Sequence, residues 1–170
     1  MKAIVYSSKT GNTEILAKAI QEQLPENSCN YFGTVKEIGD LTLSQADMFL
    51  VGFWTDKGNC DPETALLLQN LHNKKIFLFG TAGFGANDAY FDQILNKVQL
   101  HIDSSNTIAG TFMCQGKMPM SVRTRYESMQ EAQPDKMQNL IANFDKALSH
   151  PDENDLRRLK EVIHGCVLLQ

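Results

Sequence analysis

"Ser7-Ser8-Lys9-Thr10-Gly11-Asn12-Thr13" follows the apolar run Ala3-Ile4-Val5-Tyr6 and leads into a helical pattern. A loop of hydroxyl, amide and glycine residues between a strand and a helix offers backbone N–H groups, hydroxyl donors and the positive end of the helix. Together these groups suit a phosphate dianion. The alternative is an ordinary helix start, because the same residue types are common helix caps.

Two common phosphate-binding motifs are absent from this loop. A P-loop needs G-x-x-x-x-G-K-[ST] and a dinucleotide fingerprint needs G-x-G-x-x-G, and the loop matches neither. A receiver domain would carry acidic residues directly after its first strand, and none occurs here. The sequence therefore predicts phosphate binding that relies neither on a metal nor on a glycine triplet.

Short apolar runs of strand length alternate with amphipathic helical patterns along the chain. The runs cover residues 2–6, 29–32, 48–53, 75–80 and 107–114. This alternation favours an α/β fold, a three-layer sandwich with a five-stranded parallel sheet between helices. The second run is the least apolar, as an edge strand would be, whereas the first, third and fourth are nearly continuous hydrophobe. We therefore predict the strand order 2-1-3-4-5.

Helix-start signals lie between and after these runs. Asp61-Pro62 and Asn87 each precede an apolar stripe of helical spacing, and Pro134 begins another stripe after the fifth run. The stripe that begins at Pro134 is expected to close the second face of the sheet.

The end of the chain carries a further helical pattern. Asp152 and Asp155 form an acidic first-turn signal before an apolar stripe, and Gly165 is expected to end that helix. We therefore predict one domain over residues 1–148 and a C-terminal helical tail over residues 149–170.

Net charge limits the classes of partner. The chain has 16 basic and 20 acidic residues and a net charge of −4, so neither nucleic acid nor an anionic membrane is expected as a partner. A chain of 170 residues is long enough to bury the core of one domain. No apolar run has the length of a transmembrane helix, and the N-terminus does not resemble a signal peptide.

Cysteine and histidine spacings indicate neither disulfides nor a metal site. The four cysteines form no C-x-x-C pair, and the four histidines are widely scattered. Reduced thiols are typical of a cytoplasmic protein, which is the location we predict. No G-x-S-x-G or H-E-x-x-H motif occurs, so no catalytic residue is predicted.

Two further loops are expected to complete the site. In doubly wound sheets a ligand lies outside the carboxyl ends of the strands where the strand order reverses. The loops after the third and fourth runs are Trp54-Thr55-Asp56-Lys57-Gly58-Asn59-Cys60-Asp61 and Thr81-Ala82-Gly83-Phe84-Gly85-Ala86-Asn87. Each contains glycine and one aromatic residue, which suits stacking and main-chain hydrogen bonding to a flat ring.

The sequence resembles the flavodoxin family at two of these loops. Ser8-Lys9-Thr10-Gly11-Asn12-Thr13 matches the flavodoxin phosphate motif [ST]-x-T-G-x-T, and the last loop is similar to the G-x-x-G-[WYF]-G segment with Phe84 as its aromatic residue. The resemblance covers residues 1–148 and implies that FMN is the cofactor. Each aromatic residue has an alternative to contact with the flavin ring: Phe84 would pack under its own loop, and Trp54 would point into the core.

The three loops and the resemblance together predict the cofactor-binding residues. They are Ser7, Ser8, Lys9, Thr10, Gly11, Asn12, Thr13, Trp54, Thr55, Asp56, Lys57, Gly58, Asn59, Thr81, Ala82, Gly83, Phe84 and Gly85.

The loop after the third strand departs from the flavodoxin pattern. It is about one residue longer than usual and carries Lys57 before the glycine, so the second stacking residue stays open. The resemblance implies that a peptide beside glycine turns its carbonyl toward flavin N5 on reduction. We place that turn at Gly58-Asn59.

Acidic residues near the two ring loops predict a negative field if they surround the ring. They are Asp56, Asp61, Asp88 and Asp92, and Lys57 would oppose them. The segment Cys114–Met120 ends the fifth strand at the same edge, where it forms either part of the rim or a plain connection to the next helix.

Three functions are compatible with these sequence features. The first is an FMN electron carrier, monomeric or weakly dimeric, that shuttles electrons between a reductase and an acceptor protein. The second is an NAD(P)H-dependent FMN or quinone reductase on the same fold, although no mark of a nicotinamide site is visible. The third is a flavin-free interaction domain, against which the intact phosphate loop argues.

A second resemblance concerns the redox partner. The Lys57-Gly58 loop, the stretch Phe112–Lys117 and the tail beginning His150-Pro151-Asp152 resemble a branch of the flavodoxin family from anaerobic bacteria. Some members of that branch accompany bilirubin reductase, which implies a bilirubin-reductase-type enzyme as a partner.

Overall fold

A parallel β-sheet forms the middle layer of the protein. The computed structural model describes residues 1–85 and 87–168. Its strands are β1 Lys2–Tyr6, β2 Cys29–Thr34, β3 Met48–Asp56, β4 Asn59–Cys60, β5 Lys75–Ala82 and β6 Thr107–Gln115. The long strands run parallel in the order β2-β1-β3-β5-β6, and the two-residue β4 pairs antiparallel with the end of β3. Without β4 this is the order 2-1-3-4-5, so the predicted fold class is confirmed.

Helices cover both faces of this sheet. They are α1 Asn12–Gln21, α2 Asp40–Gln45, α3 Pro62–Asn70, α4 Asp88–Gln99, α5 Met120–Ser128, α6 Pro134–Ala147 and α7 Glu153–Ile163, and a π-helical turn follows at His164–Leu168. One buried cluster joins α3 and α4 to the sheet, and another joins α1 and α7 to its opposite face.

Side chains of the central strands alternate between these clusters. In β1, Ala3 and Val5 belong to the cluster under α3 and α4, whereas Ile4 belongs to the one under α1 and α7. Successive Cβ atoms of a strand point to opposite faces. A strand covered on both faces is therefore apolar at nearly every position, as the sequence runs are.

The expectation that the helix beginning at Pro134 closes the second face is wrong. That helix, α6, packs against α5 in a separate cluster of Tyr126, Met137 and Phe144. The place on the sheet is taken by α7, whose Leu159 and Ile163 are fully buried. Helical spacing shows that a stripe needs an apolar partner but not which partner it finds.

The predicted helix near the C-terminus is present and is capped at its start. The Asp152 carboxylate accepts the Asp155 N–H at 2.9 Å, and the Asp155 carboxylate accepts the Asp152 N–H at 3.0 Å, which is a capping box. The division into residues 1–148 and a tail of residues 149–170 stays a prediction. The helix of that tail nevertheless contributes Leu159 to the main core.

Candidate functional site

One cleft at the carboxyl edge of the sheet collects eight of the predicted residues. They are Lys9, Thr10, Asn12, Trp54, Thr55, Thr81, Ala82 and Gly83. The cleft has a volume of about 440 Å³, which lies within the range of about 300–1,000 Å³ common for cofactor sites. It opens where β1, β3, β5 and β6 end, as the strand order predicts.

The amino end of α1 forms the end of this cleft at which the sequence predicts phosphate binding. Gly11 occupies the cap position with φ at +88°, a left-handed conformation that glycine adopts without strain, and no side chain caps the helix. The Ser8 hydroxyl accepts only a long contact from the Glu14 N–H, at 3.4 Å. The first turn therefore keeps backbone donors and a positive dipole end for an anion.

Thr13 fixes this helix to the sheet and does not line the cleft. Its side chain is fully buried, and its hydroxyl donates to the Phe53 carbonyl at 3.2 Å and lies 3.4 Å from the Thr81 hydroxyl. The Thr55 hydroxyl donates to the Thr81 carbonyl at 2.8 Å. These contacts hold the ends of α1, β3 and β5 in one arrangement, so Thr13 has a positioning role.

Asn12 joins the phosphate loop to the segment after β6. Its amide nitrogen donates to the Lys117 carbonyl at 2.9 Å. Its amide oxygen is buried and, among the described residues, has no hydrogen-bond partner. Gly116 packs so closely on the Asn12 amide that a Cβ at residue 116 would overlap it. A buried unpaired acceptor is costly, and this one belongs to a residue that lines the cleft.

Trp54 supplies an aromatic face to the cleft. It is half-buried, and the Lys9 ammonium lies 4.9 Å from the centre of its ring. A cation at this distance is attracted by the π-face. Both residues also line a neighbouring cleft of about 450 Å³, where the structure places Ser7 and Ser8.

The loop after β5 is held from behind by two amides. The Gly83 carbonyl accepts the Gln115 amide at 2.9 Å and the Asn143 amide at 3.1 Å. In front, a Cβ at residue 83 would lie 2.5 Å from Met118 Cγ, so Met118 rests directly on the glycine. Phe84 is 40% exposed outside the cleft lining, and Gly85 lines a different cleft behind the loop.

The residues after β3 do not line this cleft. Asp56, Lys57, Gly58 and Asn59 form the turn of the β3–β4 hairpin, with φ at +49° for Lys57 and +79° for Gly58. Two successive positive φ values are the signature of a type I′ hairpin turn. The hairpin leans on α4, where Lys97 Nζ would lie 3.5 Å from a Cβ at residue 58. The stretch predicted as a glycine-bearing loop is thus a tight hairpin turn, and the assignment of Asp56, Lys57, Gly58 and Asn59 to cofactor binding stays a prediction.

The opposite wall of the cleft comes from the segment after β6 and from α5. It consists of Gly116, Lys117, Met118, Pro119, Ser121, Val122 and Arg125. The sequence indicates a rim near Cys114–Met120 because β6 ends at the same edge as the other strands. Ser121, Val122 and Arg125 of α5 belong to no motif, and only their position directly after that rim could have predicted that they line the cleft.

The condition for a negative field, that acidic residues surround the cleft, is not met by the residues that line it. Lys9, Lys117 and Arg125 line it, and within residues 1–85 and 87–168 no acidic residue does. Asp61 is instead buried as the cap of α3, accepting the Thr64 N–H at 3.1 Å, and Asp88 and Asp92 line a cleft beside α4 and α7. The site is thus positive in a chain whose net charge is −4.

The Cys60 thiol, in β4 of the hairpin, is buried. Burial is the main cause that raises the pKa of Cys60 to about 12, and the neighbouring Asp61 carboxylate adds to the effect. Burial likewise raises the pKa of Cys114 well above its ordinary value. Nucleophilic thiol chemistry needs a lowered pKa, so neither residue is a candidate nucleophile.

One group of side chains has metal-ligating atoms close together. His150, Asp152 and Asp155 have theirs within 4.8 Å of one another. The two carboxylates are already used in the capping box of α7, and the ring nitrogen of His150 lies 2.6 Å from Asp155. Capping accounts for this group without a metal ion.

The residues of the cleft fit FMN. The uncapped first turn of α1 and the Lys9 ammonium suit the phosphate, and the unpaired Asn12 oxygen is an acceptor for a ligand hydroxyl. The Trp54 indole and the close-packed Gly83 backbone provide an aromatic face and a main-chain edge of the kind a flat ring needs.

Comparison with known proteins identifies close relatives. The chain is 42% identical to the flavodoxin-like domain-containing protein BilS of Clostridium symbiosum, across 97% of this chain and 95% of the relative. It is 35% identical to BilS of Clostridioides difficile, across 92% and 90% of the two chains. These alignments support the resemblance to one branch of flavodoxin-like proteins, the branch that contains BilS.

Solved structures support the fold independently of sequence. A flavodoxin of Streptococcus pneumoniae superposes with a TM-score of 0.63 over 99% of both chains, at 15% identity. None of the helices in residues 1–85 and 87–168 combines the length and the apolar character needed to span a bilayer.

The family model of the flavodoxin domain matches residues 3–164. This match extends beyond residue 148, where the predicted domain ends, and includes α7. At the level of the family it confirms the predicted cofactor, FMN. The chain belongs to the flavodoxin family.

Proposed function

We propose that the protein is an FMN-dependent electron carrier that shuttles electrons between redox partner proteins. One observation carries the proposal. A single cleft brings together the predicted phosphate loop, the Trp54 indole and the glycine loop after β5. Bound FMN would supply the redox chemistry, while the chain determines binding, orientation and the surrounding field.

The phosphate end is assigned to α1 and its loop. The backbone N–H groups after Gly11 and the hydroxyls of Ser8 and Thr10 are the donors, since neither hydroxyl is held by a short hydrogen bond. Asn12 holds the opposite wall in place through Lys117. This arrangement binds a dianion through dipoles and leaves Lys9 to add charge.

The ring end is assigned to Trp54 and the loop after β5. The Gly83 carbonyl is fixed by two amide donors, so the backbone that meets the ring is rigid. Phe84 at the rim is exposed to solvent. An exposed aromatic residue beside the cofactor offers an apolar contact for a partner protein.

The positive lining of the cleft affects the charge state of whatever it holds. Lys9, Lys117 and Arg125 favour negatively charged forms over neutral ones. A positive field of this kind favours electron uptake by a bound flavin more than acidic surroundings would.

The partners we propose are a reductase and an acceptor, the acceptor being a bilirubin-reductase-type enzyme. The resemblance to the branch that accompanies such enzymes supports this choice, as does 42% identity to a BilS protein. All four cysteines are free thiols in the structure, which suits the reducing cytoplasm.

Anaerobic photoreduction of the FMN-loaded protein tests the proposal. We expect the visible spectrum to pass through the long-wavelength band of a one-electron-reduced flavin before it bleaches. A stopped-flow mixture with NADPH should then show no rapid bleaching. Direct bleaching without that band, together with rapid reduction by NADPH, would contradict the proposal and favour an NAD(P)H-dependent reductase.

A further inference from the structure

A second cleft lies behind the glycine loop, between α4, α6, α7 and the end of β6. Its volume is about 640 Å³, and Gly85, Gln115 and Asn143 are among its lining residues. Gln115 and Asn143 are the residues whose amides hold the Gly83 carbonyl. The loop after β5 thus separates this second cleft from the cleft at the carboxyl edge of the sheet that we assign to FMN, here called the flavin cleft.

The floor of this second cleft is apolar and its wall carries amides. Phe91 and Cys114 are buried there at 8% and 1% exposure. Gln115 is 6% exposed, and its nitrogen donates to Gly83 and to the Asn143 oxygen. An apolar floor with a few convergent polar groups is the usual composition of a small-molecule site.

The rim of the cleft carries two cations without ionic partners. Lys146 and Arg158 line it, and neither forms an ion pair with any residue that the structure describes. The Arg158 guanidinium lies 5.7 Å from the centre of the Phe112 ring, which restricts its position. Asp155 also lines the cleft and is 4% exposed, and its carboxylate already accepts hydrogen bonds from the His150 ring and from the backbone N–H of Asp152.

Arg158 also borders an acidic cleft on its other side. Asp88, Asp92 and Glu161 line that side, yet none is within ion-pairing distance of the guanidinium. Among the described residues, no ion pair neutralises Lys146 or Arg158, and the one carboxylate that lines the second cleft, that of Asp155, is engaged by His150 and the backbone.

We propose that this second cleft binds a small organic carboxylate. The apolar body of the ligand would rest on Phe91 and Cys114, and its carboxylate would lie between Lys146 and Arg158. The planar guanidinium matches a carboxylate with two parallel hydrogen bonds, and the buried aromatic floor favours an organic ligand over inorganic phosphate. The ligand would contact the loop that borders the flavin cleft, but the site does not depend on FMN.

Calorimetric titration of the FMN-loaded protein with 2-naphthoate tests this site. We expect one saturable site, and the uncharged 2-naphthamide should bind at least about tenfold more weakly, since it cannot form the charge-assisted hydrogen bonds that a carboxylate forms. Arg158→Gln and Lys146→Gln should each weaken 2-naphthoate binding by a similar factor. In NMR spectra the side-chain amide signals of Gln115 and Asn143 should shift as the site fills.

Matched controls come from the same helices. Arg157→Gln on α7 and Lys136→Gln on α6 remove a cation that does not line the cleft, and they should leave 2-naphthoate affinity within about twofold. Equal binding of 2-naphthoate and 2-naphthamide would overturn the proposal. So would unchanged affinity in both cleft variants, absence of binding, or displacement of 2-naphthoate by millimolar inorganic phosphate. Retained FMN binding in each variant shows that it is folded.

Discussion

The two walls of the flavin cleft have different origins. One wall is the loop before α1, which presents backbone N–H groups and a positive helix end and has a sequence motif. The other is the segment from Gly116 to Arg125, which carries two of the three cations and has no motif. The first wall can be identified by residue spacing, whereas the second depends on where the chain goes after β6.

The supports of the two walls also differ. The motif wall stands on α1, which shares its buried cluster with α7 and the sheet. The cationic wall stands on α5, which packs mainly with α6 in the small cluster around Phe144. The first wall is therefore coupled to the stability of the whole protein and the second to a local unit.

The largest effect is expected from loss of the support under the motif wall. Leu159→Ala empties a fully buried site between α7 and the sheet and should lower the free energy of unfolding by about 3 kcal/mol. Urea denaturation measures this change. Leu66→Ala, at a position 62% exposed on α3, is the control and should change it little. A loss below about 1 kcal/mol in Leu159→Ala would mean that residues 149–170 are a dispensable tail.

The next effect concerns the motif wall itself. Gly11→Val forces a β-branched residue into a φ of +88° and should displace the donors of the first turn. We expect the Kd for FMN to rise by about 100-fold, equivalent to about 2.7 kcal/mol. Quenching of FMN fluorescence measures it. Gly39→Val, at a φ of −99° in open space, is the matched control; equal Kd values for both variants would refute the assignment.

A smaller effect is expected from the cationic wall. Arg125→Gln removes one positive charge and should weaken FMN by about threefold, because solvent screens a charge at the mouth of a cleft. Riboflavin, which lacks the phosphate, should lose less affinity than FMN. Lys136→Gln on α6 serves as the control for net charge. If Arg125→Gln and Lys136→Gln change the Kd for FMN equally, Arg125 does not act on the bound cofactor.

The smallest effect on affinity is expected from the β3–β4 hairpin, which belongs to neither wall. Gly58→Val strains a turn outside the cleft, so the Kd for oxidised FMN should stay within about twofold. The flavodoxin resemblance predicts that the yield of one-electron-reduced flavin falls in the same variant, which anaerobic photoreduction measures. An unchanged yield would remove Gly58-Asn59 from the mechanism.

The same contrast explains how far the sequence predicts the structure. The positions of the strands along the chain follow from apolar runs, and the caps at Asp61 and Asn87 follow from local hydrogen bonding. The Asp61 carboxylate accepts the Thr64 N–H, and the Asn87 carboxamide oxygen accepts the Tyr90 N–H. These features depend on neighbours in sequence. The predicted phosphate loop therefore lies at the edge where the strands end.

Features that depend on distant contacts are not predicted. The apolar stripes of α6 and α7 are equally helical, and only packing decides that α7 takes the sheet while α6 pairs with α5. Lys57 and Gly58 form the tight turn of a hairpin, with φ positive at both residues, because β4 pairs with the end of β3. The sequence alone shows only a glycine-containing loop. Arg125 enters the cleft because of the path of the chain after β6, which no local pattern encodes.

Trp54 offers a probe of the proposed FMN position, because it is the single tryptophan of the chain and lines the cleft. Its indole N–H gives one resolved signal in an NMR spectrum of labelled protein during titration with FMN. We predict a large ring-current shift that saturates at one FMN per chain. Bound flavin in the visible spectrum with an unmoved indole signal would show that FMN binds elsewhere and would contradict the assignment of this cleft.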